Sequence, residues 1–145
     1  MENFIELQII DAVRGLLLGK VNELLGDLGF FIPLIEFGNY NGTDVVVPMV
    51  SLSTCERSEK DRLILLDAYS VSITFSLPDT EENEFNCYAY SAVVGKALEL
   101  NPTLGGIVER AVITGKKYIE PKKQGCGQEW QLNITLRVTV ETIRN

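Results

Sequence analysis

The last part of the chain alternates strictly between apolar and polar side chains. From residue 129 to 141 every second residue is apolar: Trp130, Leu132, Ile134, Leu136, Val138 and Val140. A period of two predicts a strand with one buried and one solvated face. We therefore predict a strand over 128–141, with Trp130 in the core, and a hairpin partner over 107–119.

A second alternating stretch covers residues 63–77. Its odd positions are apolar except for Asp67, so we expect the part before Asp67 to extend beyond the core. Residues 45–53 also read as a strand, which Pro48 confines to a sheet edge or a bulge because proline cannot donate a ladder hydrogen bond. The charged residues 54–62 between these strands are expected to form a hairpin tip or an extended loop.

Two stretches have the spacing of helices. Residues 4–28 carry apolar side chains at steps of three and four: Ile10, Val13, Leu17, Val21, Leu24 and Leu28. Asp79 and Glu82 have the spacing of a capping box, and Pro102 ends the second helix near Leu100. The predicted apolar stripe of this helix consists of Phe85, Tyr88, Ala89, Ala92, Val93, Ala97 and Leu100.

The predicted order is α-β-β-α-β-β in a single domain spanning residues 1–145. Two helices can cover one face of a four-stranded antiparallel sheet, which is a two-layer α+β sandwich. The glycine pair Gly105–Gly106 follows a helix instead of preceding one, and neither GxGxxG nor GxxxxGK[ST] is present. We therefore interpret these glycines as a bend and not as a phosphate-binding loop.

Composition narrows the function further. The net charge is −7 and histidine is absent, so Ser-His and Cys-His catalysis and most zinc or iron sites are excluded. An acidic surface argues against tight nucleic-acid binding. Three widely spaced cysteines at 55, 87 and 126 indicate reduced thiols, and we expect a cytoplasmic protein with no signal peptide, membrane span, metal or cofactor.

Two charged groups are candidate contact surfaces. Glu56, Arg57, Glu59 and Lys60 lie in the loop between the first two predicted strands. They fit a soluble hairpin tip and a partner-binding surface equally well. The basic cluster consists of Lys116, Lys117, Lys122 and Lys123, for which a solvated hairpin end is favoured over a phosphate or partner site.

The arrangement LxxNPTLGGxVxxAxITG from Leu98 to Gly115 resembles a segment of tail terminator or tail completion proteins of long-tailed phages and prophages. Tyr118, Trp130 and the strand ending at Glu141 follow in the matching order. The resemblance is specific over about residues 85–143 and loose over 1–80.

The resemblance implies a small α+β domain that assembles into a ring, usually a hexamer, on the end of the tail tube. Such a ring stops tube polymerisation and offers a docking surface to the head connector. No catalytic residues are implied, and Pro102, Gly105 and Gly106 become structural turn positions. The protein would form in the host cytoplasm and end in the virion tail.

Six copies with a charge of −7 each would carry −42, so an acidic bore that lets DNA pass without adhering is expected. Three alternatives stay open from the sequence. They are another head–tail joining or tail tube component, a small enzyme using carboxylate or lysine chemistry, and a regulatory α+β domain.

Overall fold

The computed structural model describes residues 4–29, 48–78, 81–121 and 129–143. These residues form a mixed α+β structure, which confirms the predicted fold class. The elements are α1 (Ile5–Leu16), a π-helical turn (Leu17–Val21), α2 (Asn22–Asp27), β1 (Met49–Glu59), β2 (Ile64–Pro78), α3 (Glu81–Leu100), β3 (Arg110–Ile119) and β4 (Glu129–Ile143).

The four strands form one antiparallel sheet in the order β1-β2-β4-β3. The two long strands β2 and β4 pair along their whole length, from Ile64 opposite Ile143 to Pro78 opposite Glu129. Their alternating apolar side chains point to one face, which packs against the helices. The central residues of this face are Tyr69, Val71, Ile73, Phe75, Leu77, Leu132, Ile134, Leu136 and Val138.

The first helix is continuous from Ile5 to Asp27, but its middle turn is π-helical. In an α-helix, residues spaced four apart drift around the helix axis by about 40° at each step. A π-helical turn contains more residues, and this offsets the drift. The buried row therefore repeats every four residues: Ile9, Val13, Leu17, Val21 and Leu25. Only Val13, Leu17 and Val21 of the predicted row are fully buried. Leu28, which the prediction also placed inside, is exposed.

Helix α3 shows the largest departure from prediction. Phe85, Tyr88 and Leu100 are exposed, although the predicted apolar stripe placed them in the core. The buried face is rotated and includes polar residues: Asn83, Asn86, Cys87, Tyr90, Ser91, Val93, Val94, Ala97 and Leu98. Val93 and Ala97 of the predicted stripe are buried, but the stripe as a whole is not the buried face. The buried polar side chains are satisfied by hydrogen bonds; Asn83, for example, donates to the Pro78 carbonyl at 2.8 Å.

The boundaries of the first hairpin also differ from prediction. Strand β1 continues to Glu59, so most of the predicted loop 54–62 is strand and the tip is confined to residues 60–63. Pairing between β1 and β2 is irregular at Ser53, which gives the edge strand a bulge. The predicted cap Asp79, the first part of the predicted strand 45–53 and Cys126 lie outside the described residues.

Candidate interaction surfaces

The β1–β2 hairpin extends past the start of the helical layer. The hydroxyl of Tyr69 donates to the carboxylate of Glu6 in the first turn of α1 at 2.8 Å. From this level to the hairpin tip every residue of β1 is exposed. Residues 54–66 therefore form a projecting arm, and the buried residues Asp67, Ala68 and Tyr69 lie at its base. The part of β2 before Asp67 thus lies beyond the core, as predicted.

At the base of the arm, Arg57 and Asp67 form a cross-strand ion pair. The Arg57 guanidinium donates to both carboxylate oxygens, at 2.7 and 2.8 Å. These hydrogen bonds hold the pKa of Asp67 below its ordinary value and raise that of Arg57. Asp67 is only 4% exposed, so the pair explains how a carboxylate occupies the core-facing row of β2.

A second ion pair joins the tip of the arm to β4. The ammonium group of Lys60 donates a hydrogen bond to Glu141, and this contact raises the pKa of Lys60. The side chain of Asp61 accepts the amides of Leu63 and Ile64 at 2.8 and 3.1 Å, which closes the turn. Two of the charged candidates, Arg57 and Lys60, thus hold the arm together.

The charged candidates on β1 are distributed over both faces of the sheet. Strand residues alternate in direction, and Glu56 is registered with Ala68 whereas Arg57 is registered with Asp67. Glu56 therefore points to the face without helices, and Arg57 and Glu59 point to the helical side. All three are exposed. The arm presents charge on two surfaces instead of one.

The basic cluster is divided in the same way. Lys116 is registered with Ile134 and Lys117 with Asn133, so the two side chains leave opposite faces of β3. Both are exposed on the edge strand. Lys122 and Lys123 lie outside the described residues. The described lysines therefore do not combine into one phosphate-sized site.

The glycine segment forms a tight left-handed turn between α3 and β3. Leu104, Gly105 and Gly106 have φ angles of 51°, 75° and 89°. The amide of Gly106 donates to the backbone carbonyl and the hydroxyl of Thr103, both at 3.1 Å. The Pro102 carbonyl accepts the amide of Ala111 at 2.8 Å, which ties the turn to β3.

This geometry agrees with the interpretation of the segment as a bend. Its amides at 104, 106 and 108 are used by carbonyl oxygens of the turn itself. The side chains of Leu104 and Val108 are buried in the core and anchor the turn. The segment follows the end of α3, so it does not present a helix N-terminus to a ligand.

Three titratable groups of the core have pKa values that are raised further above neutral pH. Burial raises the pKa of the Cys87 thiol to about 11 and that of the Tyr90 hydroxyl to about 12. Burial, followed by the hydrogen bond to Glu6, also raises the pKa of Tyr69. These groups stay protonated near neutral pH, where none of the three acts as a proton acceptor.

Two features of the site region were missed by sequence reasoning. Tyr118 on β3 donates to the hydroxyl of Ser91 at 2.8 Å, and its ring lies 5.4 Å from that of Tyr88. This contact fastens the edge strand to α3. Trp130, predicted in the core, is partly buried and packs against the core cluster.

The described ranges contain no cluster of three or more cysteine, aspartate or glutamate side chains that could hold a metal ion. Among the described helices, none is both long and apolar enough to cross a bilayer. Neither the models of known protein families nor the curated proteins give a match to this chain.

Proposed function

We propose that this chain is a structural assembly protein of a long-tailed phage or prophage. It forms a ring on the end of the tail tube, terminates tube polymerisation and offers a docking surface to the head connector. The proposal rests on the resemblance of the segment from Leu98 to Gly115 to tail terminator proteins. It requires no catalysis, cofactor or metal.

The observation that carries the proposal is the conformation of that segment. Three residues of the resembling segment, Pro102, Gly105 and Gly106, take part in the turn between α3 and β3. Pro102 accepts a hydrogen bond from β3, and Gly105 and Gly106 supply positive φ angles that side chains disfavour. A segment with these demands is a credible marker of a shared backbone, which supports the resemblance.

A ring also needs surfaces through which copies meet. The projecting arm of residues 54–66 and the sheet edges at β1 and β3 are exposed over much of their length. A head-to-tail contact between two different surfaces generates a ring when its rotation closes. With a hexamer as the proposed state, the total formal charge of −42 favours a bore through which DNA passes without adhering.

Polymerisation of tail tube protein in the presence of this chain tests the proposal. We expect short tubes that carry one ring at an end in electron micrographs, with a tube length that falls as the chain is added. A matched variant, Gly105→Ala with Gly106→Ala, should lose capping in proportion to its loss of folded protein. Tubes of unchanged length and bare ends would contradict the proposal. Incorporation along the tube would indicate a tube component.

A further inference from the structure

Both edges of the described sheet are open. Strand β1 lies at one edge and β3 at the other, and no described strand lies beyond either. On β1, residues 54–59 are all exposed, and on β3 residues 114–118 are exposed. The edge strands are bulged at Ser53 and at Thr114, so the stretches beyond the bulges, residues 54–59 and 115–118, are regular. An unpaired regular edge is a template for another strand.

The strand count determines how a second copy can join. The sheet has four antiparallel strands, so β1 and β3 run in opposite directions. A copy placed beside the first in the same orientation therefore brings its β1 antiparallel to the neighbouring β3. Repeating this step continues one antiparallel sheet from copy to copy.

Charge favours the joining of unlike edges. The outer stretch of β1 carries Glu56, while Arg57 next to it is held by Asp67. The outer stretch of β3 carries Lys116 and Lys117. Pairing β3 with β3 would bring lysines together, whereas pairing β1 with β3 brings glutamate to lysine. Unlike edges give a heterologous contact, which is the kind that closes into rings.

The register between β1 of one copy and β3 of the next follows from the strand tilt that a closed ring of sheets requires. Strands of closed barrels tilt by about 35–45°, which corresponds to roughly one residue of stagger per strand, or about four residues for four strands. Cys55 pairs with Tyr69, and Tyr69 pairs with Val138 on β4. Lys116 pairs with Ile134, which lies four residues from Val138 along β4. The opposite stagger would leave little overlap between the two edges.

We propose that copies of this chain join edge to edge. The outer part of β1 (residues 54–59) pairs antiparallel with β3 of the next copy, with Cys55 opposite Lys116. Glu56 then lies opposite Gly115 and diagonal to Lys117 on the face without helices. This proposal rests on the proposed ring and names the contact that builds it.

A disulfide trap tests the register with the native thiol of Cys55. Opposed residues in antiparallel strands have Cα atoms about 4.5–5.5 Å apart, which is within reach of a disulfide. In full-length protein carrying Cys126→Ser, we expect Lys116→Cys to form covalently linked copies on mild oxidation. The matched control is Lys117→Cys, which is also exposed but leaves the opposite face of β3 and should not link. Adding Cys55→Ser should abolish linkage.

A charge exchange tests the same contact without a new cysteine. Glu56→Lys should weaken assembly by about fivefold per interface, and adding Lys117→Glu should restore it. A ring of normal mass with no linkage at Lys116→Cys, or with equal linkage at Lys117→Cys, would overturn the edge contact and leave the ring intact. A chain that stays monomeric at every concentration would overturn the edge contact, while tube capping tests the proposed function separately.

Discussion

Arg57 and Asp67 face each other across β1 and β2, and two hydrogen bonds of 2.7 and 2.8 Å join the guanidinium to the carboxylate. The arginine side chain is 58% exposed and that of the aspartate 6%. The pair therefore lies at the boundary between the core and the projecting arm. Because Arg57 neutralises it, the nearly buried Asp67 carboxylate can occupy the core-facing row of β2 where that strand enters the arm.

This pair predicts a specific loss of stability in acid. The pKa of Asp67 is lowered in the folded protein, so its contribution to stability is complete above the unfolded pKa, near 4, and is lost as the pH falls through the folded value. We expect Asp67→Asn to be destabilised at pH 7 and to lose less further stability than the wild type below pH 4. Urea unfolding from pH 2 to 7 measures this. Asp11→Asn, at an exposed helical position, is the control, and parallel curves for all three proteins would contradict the prediction.

Helix α3 predicts unequal losses of stability for substitutions at two leucines two residues apart. Leu98 is 4% exposed and packs in the core, whereas Leu100 is 51% exposed. Leu98→Ala should lower the free energy of unfolding by about 2–5 kcal/mol, and Leu100→Ala by less than about 1 kcal/mol. Denaturant unfolding of both variants decides between the observed face and the predicted stripe. A larger loss at Leu100 would favour the stripe.

The left-handed turn predicts that added methyl groups destabilise it. At Gly105 and Gly106 the φ angles are 75° and 89°, which alanine adopts only with strain. We expect each glycine-to-alanine change to cost about 1–2 kcal/mol in unfolding free energy. Gly15→Ala is the matched control, because a methyl group there meets no atom within 4 Å and should stabilise α1 by up to about 1 kcal/mol. Equal effects at all three sites would contradict the assigned turn.

The described cysteines should differ sharply in reactivity. Cys55 is exposed on β1, whereas Cys87 is buried and its pKa is raised to about 11. In a Cys126→Ser background at pH 7.5 and below the assembly concentration, the Cys55 thiol should react rapidly with a thiol reagent. The Cys87 thiol should react only as the protein unfolds. Two rapid thiols, or a rapid phase that survives Cys55→Ser, would show that the burial of Cys87 is wrong.

The sheet could be predicted from the sequence because strand period is visible in the chain itself. In β4 every apolar residue from Leu132 to Val138 faces the core, as the alternation requires. The face of α3 could not be predicted in this way. Asn83 and Asn86 are buried because a hydrogen bond of 3.0 Å joins them and Asn83 also bonds to Pro78. Such side-chain hydrogen bonds leave no mark in hydrophobic periodicity.

The candidate surfaces could be predicted only as charged segments. The exposure of Glu56 to Lys60 follows from composition, but the partners of Arg57 and Lys60 do not. Asp67 and Glu141 are brought to them by strand register, which depends on the bulge at Ser53 and the turn at the tip. The separation of Lys116 from Lys117 onto two faces follows from the alternation of a strand. Which of the two faces carries each lysine needed the register of β3.

The mass of the protein in solution tests the proposed ring most directly. Light scattering on a sizing column, over a range of concentrations, should show one discrete species near six times 16.1 kDa that does not grow further. Continuous growth with concentration would indicate a tube component. A monomer at every concentration, both alone and mixed with tail tube protein, would contradict the ring.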